Sequence, residues 1–163
     1  MNIRREGPAW ATLDRIDWQI LKELQADGRM TNVELASRVG ISAPPCLRRV
    51  RALEKAGYIL GYHARLNTKL LGFDMEAYAM VRLSSQAEAD LVAFEKLARS
   101  WSYVRECAML SGDVDFLLKC VAPDLASFQN FIIRDLTAAP NVDHLRTAFS
   151  IRISKFEPGL PLD

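Results

Sequence analysis

The chain has 163 residues, half of them hydrophobic, and a formal net charge of +1. That length supports a real core and two small domains; no apolar run is long enough to span a bilayer, and no charged-then-apolar secretory leader is expected. The cysteines Cys46, Cys107 and Cys120 are odd in number and widely spaced, which argues against a disulfide framework and suits a reducing cytoplasm, and neither His63 nor His144 has the neighbours of a zinc site.

The charge is unevenly spread. Through Leu66 there are 11 Lys and Arg against 7 Asp and Glu; from Asn67 onward there are 10 against 13. A basic front and a mildly acidic back assign any polyanion to the front half.

Residues 1–12 read as a poorly ordered lead-in. Leu13, Ile16, Ile20, Leu21 and Leu24 then recur at helical spacing, with Asp14 as N-cap and Gly28 as stop, predicting a helix over about 14–27. Thr31 and Glu34 form a capping box for a short second helix carrying Val33, Leu35, Ala36 and Val39 and ending at Gly40. Ser42 is the N-cap expected for a third helix, and Gly57 closes it. Two short helices joined so tightly form a helix-turn-helix, here about 32–56.

The third helix opens with Pro44 and Pro45. In a first turn the amides have no intrahelical partner, so proline costs little there and presets φ. At 100° per residue Cys46, Leu47, Val50 and Leu53 share the face expected to be buried. Pro44, Arg48, Arg51 and Lys55 share the opposite face, and Arg49 lies near the edge of the buried one. A cationic stripe on the second helix of such a motif is where DNA lies; standing alone, the same stripe reads as a solvated face. After Gly57, the run Tyr58–Leu66 reads as a strand or hairpin, the wing of a winged helix. His63 and Arg65 are phosphate contacts there or ordinary surface groups.

The back half alternates. Ala77, Ala79, Val81 and Leu83 mark a strand, and Ser85-Gln86-Ala87-Glu88 a capping box before a helix with Leu91, Phe94, Ala98 and Trp101 on one face. Val104–Ser111 and Val114–Val121 read as strands joined by Gly112-Asp113, a two-residue hairpin signal. Asp124 caps a helix with Leu125, Phe128, Ile132 and Leu136 on one side, broken at Pro140 and Asn141. A last strand carries Leu145, Thr147, Phe149, Ile151 and Ile153 in alternation. The order βαββαβ is ferredoxin-like. The fold class expected is therefore α+β: a winged helix-turn-helix domain at 13–66, a linker at 67–75, a βαββαβ domain at 76–156, and a tail at 157–163. Met80, Leu117 and Val121 fall on the sheet face away from the helices, so a second copy of the chain is expected to cover it.

The run LDRIDWQILKELQADGRMTNVELASRVGISAPPCLRRVRALEKAGYILGY resembles the DNA-binding domain of the Lrp/AsnC (leucine-responsive regulator) family, and EC-x-x-x-SGDVDFLLK is similar to that family's effector domain. The likeness spans roughly 13–154 and rests on Leu13-Asp14-x-Ile16-Asp17, Pro45-Cys46-Leu47 and Gly112-Asp113-x-Asp115 in order. It implies a bacterial or archaeal transcription regulator in the cytoplasm, associated with the nucleoid. Such regulators dimerise through the βαββαβ domain, assemble to tetramers or octamers on double-stranded DNA, and bind an amino acid between dimers. Carried onto this chain, DNA contact falls on Ser42, Ala43, Pro44, Arg48, Arg49, Arg51, Lys55 and His63. Effector contact falls on Ser111, Gly112, Asp113 and Asp115, with Thr147 on the last strand. A carboxylate suits an α-ammonium and a glycine amide an α-carboxylate, yet Gly-Asp is also what a tight hairpin demands. The alternative function is an architectural, DNA-wrapping protein with little effector control. An enzyme is not expected, and no cofactor is implied: no nucleophile–base pair, metal spacing or phosphate loop is present.

Overall fold

A computed structural model describes residues 13–162; the lead-in expected over 1–12 lies outside the described residues. The chain forms two compact units, one from the front of the chain through Arg65 together with Phe156 onward, the other Leu66–Lys155.

The first unit holds three helices, α1 (Arg15–Ala26), α2 (Asn32–Val39) and α3 (Ala43–Lys55). Asp14 and Thr31 cap the first two in complete boxes: each side chain accepts the N–H of the third residue, Asp17 or Glu34, whose carboxylate accepts the cap's own N–H. Ile20, Leu35, Ala36, Val39, Cys46, Val50 and Leu53 make one buried cluster. The predicted Tyr58–Leu66 strand is not formed; the segment is irregular extended backbone without a ladder. Among the described residues no neighbouring strand in this unit offers it one, and an extended chain gains a strand's hydrogen bonds only from a partner. Tyr62 instead donates its hydroxyl to Glu54 at 3.1 Å.

The last residues return to this unit. The Gln25 Nε2 donates to the Leu160 carbonyl at 2.6 Å, and the Leu160 N–H donates to Gln25 Oε1 at 2.8 Å. The Arg65 guanidinium lies 4.0 Å from the centre of the Phe156 ring.

In the second unit a short 3₁₀ turn (Lys69–Leu71) precedes β1 (Met75–Leu83), α4 (Glu88–Ser100), β2 (Val104–Met109), β3 (Phe116–Ala122), α5 (Leu125–Phe131) with a π turn (Ile132–Leu136), and β4 (Val142–Phe149). The four strands pair antiparallel in the order β2-β3-β1-β4. Ala77, Ala79, Val81 and Leu83 alternate inward with Phe116, Leu118 and Cys120 opposite, and Phe94, Ala98, Phe128, Phe131 and Leu136 close over them. The small alanines of β1 leave room for the aromatic layer, in which Phe94 and Phe116 sit 4.7 Å apart. Burying one such Phe stabilises by about 1.5–3 kcal/mol.

Four local expectations change. The box at Ser85–Glu88 is not made: Ala87 is the cap residue without a side-chain bond, and Ser85 instead donates to Asp90 at 2.6 Å and accepts the Ala87 N–H at 3.3 Å. Leu125 is exposed, and Phe131 takes the buried place beside Phe128. Ser111–Val114 form a four-residue loop, not a two-residue turn, closed by the Leu110 N–H donating to the Asp115 carbonyl at 2.8 Å. The last strand stops at Phe149, and Ile151 is fully exposed. Its partner β1 begins at Met75, with Phe149 already opposite Ala77, so the alternation outlives the strand it pairs with.

Candidate functional site

The turn before α3 is set by Gly40, whose φ of 74° ends α2 in the left-handed region while the Ile41 N–H reaches back to the Ala36 carbonyl at 3.0 Å. Asn32, at the start of α2, donates its Nδ2 to the Ala43 carbonyl at 2.8 Å and so fixes where α3 begins. Its Oδ1 is buried with no partner. An orphaned acceptor costs about 1–3 kcal/mol, a sign that this junction is held by surrounding packing.

Ser42 has the extended backbone of an N-cap, but its hydroxyl makes no cap bond. The reason is chemical. A cap oxygen accepts from the second or third helical amide, and Pro44 and Pro45 occupy those places without an N–H. The prolines that start the helix abruptly thereby leave the Ser42 hydroxyl exposed and uncommitted.

Cys46, Val50 and Leu53 are buried as expected, but Leu47 is 39% exposed. It sits about 100° from Cys46 around the helix, beside the stripe. Pro44, Arg48, Arg51 and Lys55 are all exposed. Among the described residues none of the three cations has an ion pair or hydrogen-bond partner. Arg48 to Lys55 spans about 10 Å along the axis, against a major groove about 12 Å wide.

Arg49 is different. Its guanidinium lies 2.7 Å from Asp14 and 2.7 Å from Asp17, the two residues of the α1 capping box. The Asp17 amide, followed by Arg49, holds the Asp14 carboxyl below its ordinary range, and the hydrogen bonds that Arg49 donates to Asp17 and then to Asp14 raise its own value. The Leu13-Asp14-x-Ile16-Asp17 signature thus has a physical meaning: apolar residues feed the core while the carboxylates cap α1 and grip α3. Sequence spacing put Arg49 near the buried edge and did not reveal this grip. His63 is exposed on the irregular segment after α3.

In the second unit, Ser111, Gly112 and Asp113 are exposed on the loop between β2 and β3, where Gly112 has φ 128°, a conformation that nearly requires glycine. Asp115 is partly buried and already employed: its N–H donates to the Val81 carbonyl at 2.9 Å, and its carboxylate accepts the Leu83 N–H at 2.6 Å. It locks the start of β3 to the end of β1. Thr147 is exposed opposite Ala79, four residues from Leu83, roughly 14 Å along the strand. The structure groups the four loop residues and places Thr147 apart from them.

The sheet face away from α4 and α5 carries half-buried Tyr78, Met80, Leu117 and Val121, crossed by a 3.3 Å Lys119–Glu76 ion pair. Among the described residues no group of three or more His, Cys, Asp or Glu is placed to hold a metal ion, and no helix is long and apolar enough to cross a membrane.

Residues 13–59 match the winged helix-turn-helix DNA-binding family, and residues 76–160 the Lrp/AsnC ligand-binding domain. The chain is 61% identical over 140 residues to the leucine-responsive regulatory protein of Rhizobium meliloti, covering 86% of this chain and 90% of that one. It is 40% identical to the Bkd operon transcriptional regulator of Pseudomonas aeruginosa, over 93% and 99% of the two chains. A transcriptional regulator from Neisseria meningitidis in complex with L-Met superposes with a TM-score of 0.88 at 35% identity, over 93% of this chain and 98% of that one. Recognition helix, capped α1 and βαββαβ unit agree with these likenesses along nearly the whole chain, which belongs to the Lrp/AsnC family of transcriptional regulators.

Proposed function

We propose that this regulator reads double-stranded DNA through α3, acts on amino-acid-related genes, and responds to an amino acid bound between dimers. One observation carries the DNA reading: Arg48, Arg51 and Lys55 form an exposed, uncommitted stripe opposite the core, with Pro44 and the free Ser42 hydroxyl at its leading end. The cations bind phosphates, while Ser42, Ala43 and Pro44 approach base edges, as helix N-termini do in this motif. Arg49 holds α3 in place and does not touch DNA.

The effector is an amino acid. The Rhizobium relative is named for leucine, and the Neisseria structure holds L-Met. Exposed Ser111, Gly112 and Asp113 offer a hydroxyl, a free backbone amide and a carboxylate to a zwitterion. Asp115 shapes that loop. The half-buried apolar strip of Tyr78, Met80, Leu117 and Val121 is covered by a second copy of the chain, giving a homodimer that assembles further.

The test is a fluorescence-anisotropy titration of a promoter duplex, with and without each proteinogenic amino acid. Tight binding whose affinity shifts with a small set of amino acids is the expected result. Binding that no amino acid alters would support the architectural role instead.

A further inference from the structure

The C-terminal segment is built to sit on α1. The Gln25 carboxamide engages both the N–H and the carbonyl of Leu160, so it fixes backbone as a neighbouring strand would. Gly159 makes the approach possible: its φ is 97°, and a Cβ there would collide with Gln25. Pro158 and Pro161 flank the contact and reduce what the free segment loses on ordering. At one end the Phe156 ring packs under Arg65. At the other, the Leu162 N–H folds back on the Leu160 carbonyl at 2.9 Å. Leu162 lines, with Leu13, Trp18, Leu21 and Tyr62, an apolar groove of about 550 Å³. Leu160 itself stays 69% exposed. The segment is therefore held by its backbone and its two ends, and such a contact opens without unfolding the helices beneath it.

We propose that residues 156–162 are a docking strap, seated in the α1 groove of their own chain, through which effector occupancy alters DNA affinity. The inference rests on the reading of the chain as an effector-responsive DNA-binding protein. The chain first passes from one unit to the other between Arg65 and Leu66, and a single covalent connection transmits little orientation. The strap adds a second tether: β4 ends at Phe149, and six residues, 150–155, carry the chain from it into the strap. It lands on the C-terminal half of α1, whose first turn grips Arg49 of α3. Docked and undocked strap are the two states between which an effector selects.

The full-length chain is compared with a chain ending at Lys155 and with Gln25→Ala, an exposed position. Hydrogen exchange is followed over α1 and 58–62, and duplex affinity is measured with and without L-Leu and L-Met. In both variants exchange over the second half of α1 rises about tenfold. DNA affinity without amino acid stays within about threefold of the full chain, and the ratio of affinities with and without amino acid falls toward one. Unchanged α1 exchange would show that the strap is not seated. Raised exchange with an unchanged ratio would show that it is seated and carries no coupling. Exchange is read without DNA, so a full chain that fails to bind duplex or to respond to amino acid sinks the functional reading and the coupling while leaving the docking result standing.

Discussion

Arg48 and Arg49 are neighbours in sequence, and the structure gives them opposite roles. Arg48 is an exposed cation without a partner; Arg49 is held by two carboxylates at 2.7 Å each. Removing one cation from a phosphate lowers the slope of log K against log salt by about 0.9. At 0.15 M salt that corresponds to about 0.7 log units per cation, near fivefold for one recognition helix and roughly 30-fold, or about 2 kcal/mol, when two helices engage. Arg48→Ala is therefore expected to weaken duplex binding by about that factor and flatten the slope by about 0.9 per engaged helix. Arg49→Ala keeps the slope close to that of the parent, because its charge is already matched within the protein. It instead lowers the urea midpoint of the N-terminal unit, where two carboxylates are deprived of their shared cation. Anisotropy titrations from 50 to 300 mM salt, paired with urea unfolding of both variants, separate the two. A slope flattened in Arg49→Ala and kept in Arg48→Ala refutes the assignment.

Three further outcomes follow from the geometry. Asp115→Ala leaves the Leu83 N–H without its acceptor and destabilises the C-terminal unit by about 1–3 kcal/mol, whereas Asp115→Asn keeps a carbonyl there and loses less; denaturant midpoints give the comparison. The Asp14 carboxyl is held low by the Asp17 amide and then Arg49, that of Glu34 by the Thr31 hydroxyl, and that of Asp124 by the Ser127 amide. Folded values below unfolded ones mean that this stability is fully present above the unfolded pKa, near pH 4, and drains as pH falls through the folded values; acid unfolding with a midpoint above about pH 5 contradicts it. Burial raises the Cys120 thiol to about 11 and also pushes up Cys46, and both side chains are enclosed, so iodoacetamide at pH 8 leaves these two unmodified in the native protein, as peptide mass spectrometry would show.

Much of the fold is written in local chemistry. Asp14 and Thr31 with acids three residues on declare their helices, and the period-two run from Ala77 to Leu83 declares its inner face. The cationic stripe is equally legible, because helical spacing alone separates Arg48, Arg51 and Lys55 from the core. Other features depend on partners far away in sequence. Ile151 and Ile153 continue a strand pattern, yet with Phe149 opposite Ala77 the register leaves only Met75, the first residue of β1, for Ile151 and none of β1 for Ile153. Asp115 looks the same in a sequence whether its carboxylate meets a ligand or the Leu83 amide. Leu160 meets Gln25 across 135 positions, with no periodicity to announce it. The idle Ser42 hydroxyl is an intermediate case: the two prolines that disable its capping role are plain in the sequence, and only their missing amides have to be counted.

The N-terminal unit takes residues from both sides of the second unit, and this matters during synthesis. Its three helices leave the ribosome first, but the Gln25 carboxamide waits for Leu160. With about 90 intervening residues added at 5–20 per second, the groove beside Trp18 stands open for roughly 5–18 s on every nascent chain. The arrival of Leu160 and Leu162 completes its wall, so the mature surface of the DNA-binding unit is itself a mark that the effector unit has been translated.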